Sequence, residues 1–413
     1  MAETNLAETV STSIRATPLA SLLEPSPRSP ELVAYRGVLT PRHLDAPEVE
    51  TAALASGAAV HDLGWLRHVA VRGEDRFRWL SGMVTNTVND LLPNTGAWNL
   101  VLNAQGRIQG DLTVWREGEE FSPQARKTVT PLLKSGDKML GTPFAGESGL
   151  VLEIDADQYD KLLAHLNQFI IMDDVELIPL GEEPSGCAGS ETVIGLSGPL
   201  ADEVLGRMGL PTVALPMSGT TIEWNGRNLH ILRGYGVLAP HYEIWLPCPG
   251  LKQFLDGLRT AGATSVGCAA IEAFRIAEAI PRYGIDIAER DLPQETAQMR
   301  ALHFNKGCYL GQEIVERIHS RGNVHRHLRP LELSGPVPAA GTELKQENGD
   351  VAGQVTSAAE LKLPKPRVFA LAMIKAEAEA QDQALIYQHE SETGTARILS
   401  APPTITPKRN PYA

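Results

Sequence analysis

Lys306-Gly307-Cys308-Tyr309-Leu310-Gly311-Gln312-Glu313 sets one thiol between two glycines, beside a cation and just ahead of a helical-looking segment. A thiolate needs such surroundings: positive charge nearby, helix-terminal N–H groups, and backbone free to approach a ligand. Lys306 would favour the thiolate electrostatically, while Gly307 and Gly311 let the backbone close around a bound group. The plain alternative for any free cysteine is a small buried hydrophobe. The remaining cysteines, Cys187, Cys248 and Cys268, form no C-x-x-C pair. That argues against a structural zinc site or a disulfide framework and assigns them to packing.

Outward from this motif, 413 residues are too many for one hydrophobic core, so two or three domains are expected. Lys and Arg number 37 against 50 Asp and Glu, a net charge of −13. This excludes a general nucleic-acid binder but leaves room for a local basic pocket. The apolar stretches, such as Val368 to Ile374, are too short to cross a bilayer. Residues 1–31, rich in Ser, Thr, Ala and Pro, lack the charged and apolar regions of a secretory signal and read as a disordered extension. The protein is expected to be cytoplasmic and monomeric.

His68 to Val71 alternates like a strand, and Gly73-Glu74-Asp75 opens a helix carrying Phe77, Leu80, Val84 and Val88. Trp98, Leu100 and Leu102 alternate before a turn at Asn103 to Gly106, and Ile108 to Trp115 returns as the hairpin partner. Strand then helix recurs at Leu150 to Ile154, Val193 to Leu196 and Tyr242 to Leu246, and Asn225-Gly226 marks another hairpin. Such units suggest α+β modules of split βαβ type. Helical spacing in Cys268 to Ala279 stops at Pro281, and from Arg329 short apolar runs between Gly, Pro and Asn suggest a small β-barrel.

The octapeptide resembles the K-G-C-[YF]-x-G-Q-E signature of the YgfZ-type folate-binding proteins, linked to iron–sulfur cluster assembly. That family is a branch of the superfamily of the aminomethyltransferase (T-protein) of the glycine cleavage system. The resemblance runs from roughly Leu32 to Leu399. It implies an α+β fold in which two ferredoxin-like modules and a C-terminal small β-barrel surround a central cavity for tetrahydrofolate. The expected boundaries are residues 32–180 for the first module, with an insertion at about 119–148, and 181–325 for the second. The barrel would occupy 326–402 and a loose tail 403–413.

The resemblance also carries residue roles. Arg275 would correspond to the arginine facing folate, whose planar fork suits a carboxylate. Its segment continues through Tyr283, and Leu292-Pro293-Gln294-Glu295 would shape the cavity wall. Asp111 stands where the T-protein hairpin has a pair of aspartates; Gly110 replaces the other. Ala239 stands where a folate-contacting glutamate belongs, whereas Tyr235, Tyr242 and Glu243 remain as expected folate contacts. Gln312 and Glu313 complete that set, and Cys308 with Lys306 and Asp111 carries the chemistry.

Glu313, Glu316 and His319 share a helix face but are expected to be solvated rather than metal ligands, and no permanently bound metal is expected. Arg317, Arg321, Arg326 and Arg329 with His325 and His327 form the one concentrated positive run. The intact cysteine motif beside eroded transferase positions implies a folate-binding accessory protein serving iron–sulfur client or assembly proteins. The alternatives are a tetrahydrofolate-dependent aminomethyltransferase and a non-catalytic scaffold on the same fold.

Overall fold

The computed structural model describes residues 14–23, 30–118, 149–181, 191–322, 324–381 and 383–405. The expected insertion at about 119–148, Cys187 and the tail beyond 405 lie outside the described residues. Eleven strands form one sheet built from two halves. In the first half the order is Thr264–Val266, Ala59–Asp62, Glu191–Ser197, His241–Pro247, Arg227–Arg233 and Ser218–Trp224. In the second it is Thr95–Leu102, Ile108–Arg116, Leu150–Asp155, Leu66–Arg72 and Glu176–Leu180. The seam is narrow: Ser218 pairs with Thr95, and Gly96 N–H donates to the Met217 carbonyl at 2.8 Å.

The halves do not follow the expected boundary at residue 180. Ala59–Asp62 comes early in the chain but lies between Glu191–Ser197 and Thr264–Val266. All four of its residues are buried, so its backbone groups need partners on both sides. Only the strands of the later segment supply them. A second departure concerns the N-terminal extension, where Pro18–Ser21 forms a short helix. Thr17 and Thr40 both donate hydroxyl hydrogen bonds to the buried Asp62 carboxylate, which anchors this segment.

Each half-sheet buries one face under helices. In Leu251–Thr260, Leu251, Phe254, Leu255 and Leu258 are buried together with Val204 and Leu205 of Ala201–Arg207. Burying each such side chain stabilises by about 1.5–3 kcal/mol. On the other half, Tyr159, Leu162 and Leu166 of Tyr159–Asn167 pack with Trp79 and Leu80 of Arg76–Met83. The latter helix ends at Met83, so Val84 and Val88 reach the same core from beyond it. Asn225 and Gly226, at φ of 49° and 72°, make the tight turn that the Asn-Gly pair signals.

Six strands close the C-terminal barrel, ordered Arg326–Ser334, Arg367–Lys375, Val351–Leu361, Glu343–Lys345, Leu385–His389 and Glu392–Ile398. The helix Cys268–Ala277 wedges between barrel and sheet, its Ala273, Phe274 and Ile276 packing with Leu328, Phe369 and Leu371. It ends before Ala279, which takes a left-handed φ of 60°, and the chain then turns into Pro281.

Candidate functional site

A cavity of about 230 Å³ is lined from both half-sheets and by the helix Cys268–Ala277. Strand alternation decides what enters it. On His241–Pro247, His241 and Glu243 line the cavity while Tyr242 and Ile244 join the opposite core. Tyr242 is thereby committed elsewhere, its hydroxyl donating to Asp202 at 2.6 Å.

Asp111 lies in the wall, where Trp98 Nε1 donates to Oδ2 at 2.8 Å and Gln158 Nε2 to Oδ1 at 2.9 Å. Burial raises its carboxyl above the usual range despite both donors. Asp155 is paired with Arg36, yet burial pushes it up to about 6. Glu153 and Glu243 face one another from the two half-sheets. Burial first, and then the adjacent Glu243 carboxylate, hold the Glu153 carboxyl well above the ordinary range. Glu153 Oε2 and Glu243 Oε2 are both buried without a hydrogen-bond partner.

Arg275 lines the cavity, but its fork is filled from within. Nε and Nη2 bind Glu272, and Nη1 donates to Asp286 at 2.6 Å and to the Ile280 carbonyl at 3.1 Å. Burial alone would raise the Glu272 carboxyl, but Arg275, Tyr35 and Arg36 outweigh it and hold it at about 2. The open cation is Arg300. Its guanidinium carbon lies 3.7 Å from the Tyr235 ring centroid and 4.4 Å from that of Trp98. It makes no ion pair among the described residues, and burial lowers it to about 10. Glu278 is also in the wall, accepting the Val237 and Leu238 N–H groups at 2.9 and 2.8 Å. An acid therefore reaches the loop beside Ala239 from a different element.

The cysteine motif stands outside this cavity. Cys308 is exposed in the loop before the helix Gln312–Arg321. The Lys306 ammonium is turned inward, donating to the Val84 and Asn86 carbonyls at 2.7 Å each, and burial lowers it to about 8. Asn86 in turn donates from Nδ2 to the Trp98 carbonyl at 3.0 Å and the Arg300 carbonyl at 2.8 Å. The thiol loop and the cavity wall thus share one hydrogen-bonded residue. Gly311, at φ of 79°, seats the loop on the Asn103–Gly106 turn; a Cβ there would lie 2.5 Å from the Asn103 carbonyl.

Gln312 accepts the Tyr309 N–H at 3.2 Å, and Glu313 pairs with Arg317 at 3.0 Å on the outer helix face. Tyr283 is held by Lys161 at 2.9 Å, outside the cavity lining. Of the residues expected to contact folate, the structure gathers Arg275, Tyr235, Glu243 and Asp111 around the cavity and not Tyr283, Tyr242, Gln312 or Glu313. The expected positive run is largely neutralised. Arg326 pairs with Asp291 and Glu295, and Arg329 and His327 share Glu379. His319 stacks on Phe304 at 3.8 Å. Among the described residues, no three His, Cys, Asp or Glu side chains come together as a metal site.

Sequence reasoning missed Arg300, Trp98, Glu153, His61, Ser197 and His241, all lining the cavity. One signal was available: His61-Asp62 closes an apolar run, and ionisable groups in a buried strand mark functional sites. Arg300 and Glu153 carry no local signature.

No family model matches the chain. Over 65% of its length it is 24% identical to the mitochondrial iron–sulfur cluster assembly factor IBA57 homolog of Neurospora crassa, covering 52% of that protein. The chain thus spans about half the length of that relative. It is also 24% identical to the aminomethyltransferase of Rubrobacter xylanophilus, over 90% of both chains. The crystal structure of the glycine cleavage system aminomethyltransferase T from Bartonella henselae superposes with a TM-score of 0.78. That match covers 95% of this chain and 99% of the other at 19% identity. Two half-sheets, a wedged helix and a closed barrel about one cavity give this chain the fold of the glycine cleavage aminomethyltransferase T, and an iron–sulfur cluster assembly factor and aminomethyltransferases are among the proteins its sequence resembles.

Proposed function

We propose that this protein is a folate-binding accessory factor for iron–sulfur cluster assembly or repair, of the YgfZ type, using Cys308 as its working thiol. The observation that carries the reading is the link through Asn86 between the exposed thiol loop and a cavity lined by carboxyl groups. A reduced pterin offers adjacent N–H donors, and the Glu153 and Glu243 carboxyls of the cavity wall fit such an edge. Arg300, held against the Trp98 and Tyr235 rings, fits the ligand's carboxylate end in place of the occupied Arg275. When bound, tetrahydrofolate supplies a one-carbon carrier. The residues themselves orient it and shield it from water.

The name of the Neurospora relative supports the iron–sulfur side of the reading. In a strain lacking the endogenous protein, Cys308→Ser is expected to fail to restore iron–sulfur enzyme activity. Full recovery would sink the thiol role. Tetrahydrofolate titrated into the purified protein is expected to give saturable binding that Arg300→Gln weakens by at least about tenfold.

A second reading, tetrahydrofolate-dependent aminomethyl transfer, is favoured by one observation: Asp111 keeps a buried carboxyl in the cavity wall. Turnover of a methylamine donor in the presence of tetrahydrofolate, lost in Asp111→Asn, would support it. Binding without turnover supports the accessory role.

A further inference from the structure

Three side chains in the cavity wall, on three neighbouring strands, stand in one hydrogen-bonded line. His61 Nε2 is 3.0 Å from Ser197 Oγ, and Ser197 Oγ is 2.8 Å from His241 Nδ1. The two imidazoles lie nearly parallel, 5.7 Å apart. The far nitrogen, His241 Nε2, lies 3.6 Å from Glu243 Oε1. Space has been cleared for this line. A Cβ on Gly195 would lie 1.9 Å from His61 Cε1, and one on Gly234 would meet His241 at 2.7 Å and Glu243 at 2.8 Å.

The direction of the chain follows from what each group can do. His61 Nδ1 faces the Asp62 carbonyl at 3.4 Å, and a carbonyl only accepts, so Nδ1 carries the hydrogen. A neutral ring then leaves Nε2 as an acceptor, and burial keeps this ring neutral, lowering it to about 3. The single Ser197 proton must therefore point to His61, which leaves the hydroxyl lone pairs for His241. His241 Nδ1 is in turn a donor. His241 Nε2 is then the open end of the line: bare when the ring is neutral, protonated when it is charged.

We infer that His241 Nε2 and the Glu153–Glu243 pair share one exchangeable proton, and that Ser197 and His61 fix His241 in the Nδ1–H form so that it can receive it. Without ligand the proton lies between the two carboxyls. A ligand presenting adjacent N–H donors needs both carboxylates as acceptors. The O–H bond of the pair then breaks as an N–H bond forms at His241 Nε2, and the imidazolium offsets one of the two negative charges. Nothing is exchanged with solvent. The other groups facing this set do not replace His241 as the receiver. His68, 3.5 Å from Glu153 and stacked on Trp245, is buried and lowered to about 3. Asp155 is taken by Arg36, and Glu278 by two backbone N–H groups. His61 and Ser197 are the positioning residues, and His241, Glu153 and Glu243 the proton-carrying groups, of a proton-exchange site for an amidine-like nitrogen edge, which rests on the folate reading only for its probe.

Two measurements test it. In the ligand-free full chain with ¹⁵N-labelled histidine, His61 and His241 are expected as Nδ1–H tautomers. Ser197→Ala should shift both signals, and Ser197→Thr should restore them. An Nε2–H tautomer at His241, or signals indifferent to Ser197→Ala, would overturn the relay whether or not folate binds. Calorimetric titration with tetrahydrofolate in buffers of different ionisation enthalpy should show no net proton release for the wild type. His241→Gln should release about one proton per site. Equal proton counts in the two proteins would overturn the shared-proton role. Failure of tetrahydrofolate to bind would instead overturn the folate reading and leave the tautomer measurement to decide the relay.

Discussion

The Lys306 ammonium donates to the Asn86 carbonyl over 2.7 Å, pointing into the fold rather than standing free beside the thiol two residues on. Its second bond, to the Val84 carbonyl, makes it a tether that pins the thiol loop to the end of a core segment.

Lys306→Met is therefore expected to destabilise the protein by roughly 1–3 kcal/mol, because two carbonyls lose a charged donor. Urea denaturation measures this. If tethering is the lysine's main role, the reaction rate of Cys308 with a thiol reagent at neutral pH should change by less than about threefold. A much larger fall in rate with unchanged stability would restore Lys306 as the thiolate's electrostatic partner.

Arg275 and Arg300 should separate cleanly. Arg275→Met leaves Glu272 and Asp286 without their cation in a buried setting and is expected to cost roughly 3–5 kcal/mol in thermal or urea unfolding. Arg300→Gln breaks no ion pair among the described residues, only two ring contacts and a hydrogen bond to Gln298, and should cost about 1–2 kcal/mol. The folate affinity should move the other way, with the larger loss at Arg300.

The Glu272 carboxyl, held at about 2, gives an acid-sensitive contribution. Its folded-state value lies below the ordinary one, so the unfolded chain binds more protons as pH falls. The contribution is complete above about pH 4.5 and fades as pH drops toward 2. Glu272→Gln should lose about 2 kcal/mol at neutral pH, with the gap to wild type closing over that acid range. A constant gap from pH 7 to 3 would refute the pairing as its source.

Gly195→Ala puts a methyl where the His61 ring lies and is expected to destabilise by about 1–3 kcal/mol. Combining it with His61→Ala should recover part of that loss, a coupling that a double-mutant cycle reads directly. Strict additivity would mean that the close approach does not matter.

The octapeptide at Lys306 to Glu313, the hairpins at Asn103 and Asn225, and the barrel after Arg329 were legible because each depends on local chemistry. A left-handed glycine, a tight turn and a period of two are written within a few residues. The place of Ala59–Asp62 was not legible, since a fully buried strand records its need for neighbours but not their identity. The same limit governs the site. Arg275 read as the ligand's arginine because its segment resembles the superfamily's folate-facing one, yet folding brought Glu272 and Asp286 to fill its fork and left Arg300 without an ion pair between two rings. Sequence alone determined that this chain has a T-protein-like architecture and one distinctive cysteine. Only the tertiary structure decided that the thiol stands outside the cavity and that His61, Ser197 and His241 meet within its wall. Those side chains are far apart along the chain, and only strand pairing brings them within hydrogen-bond reach.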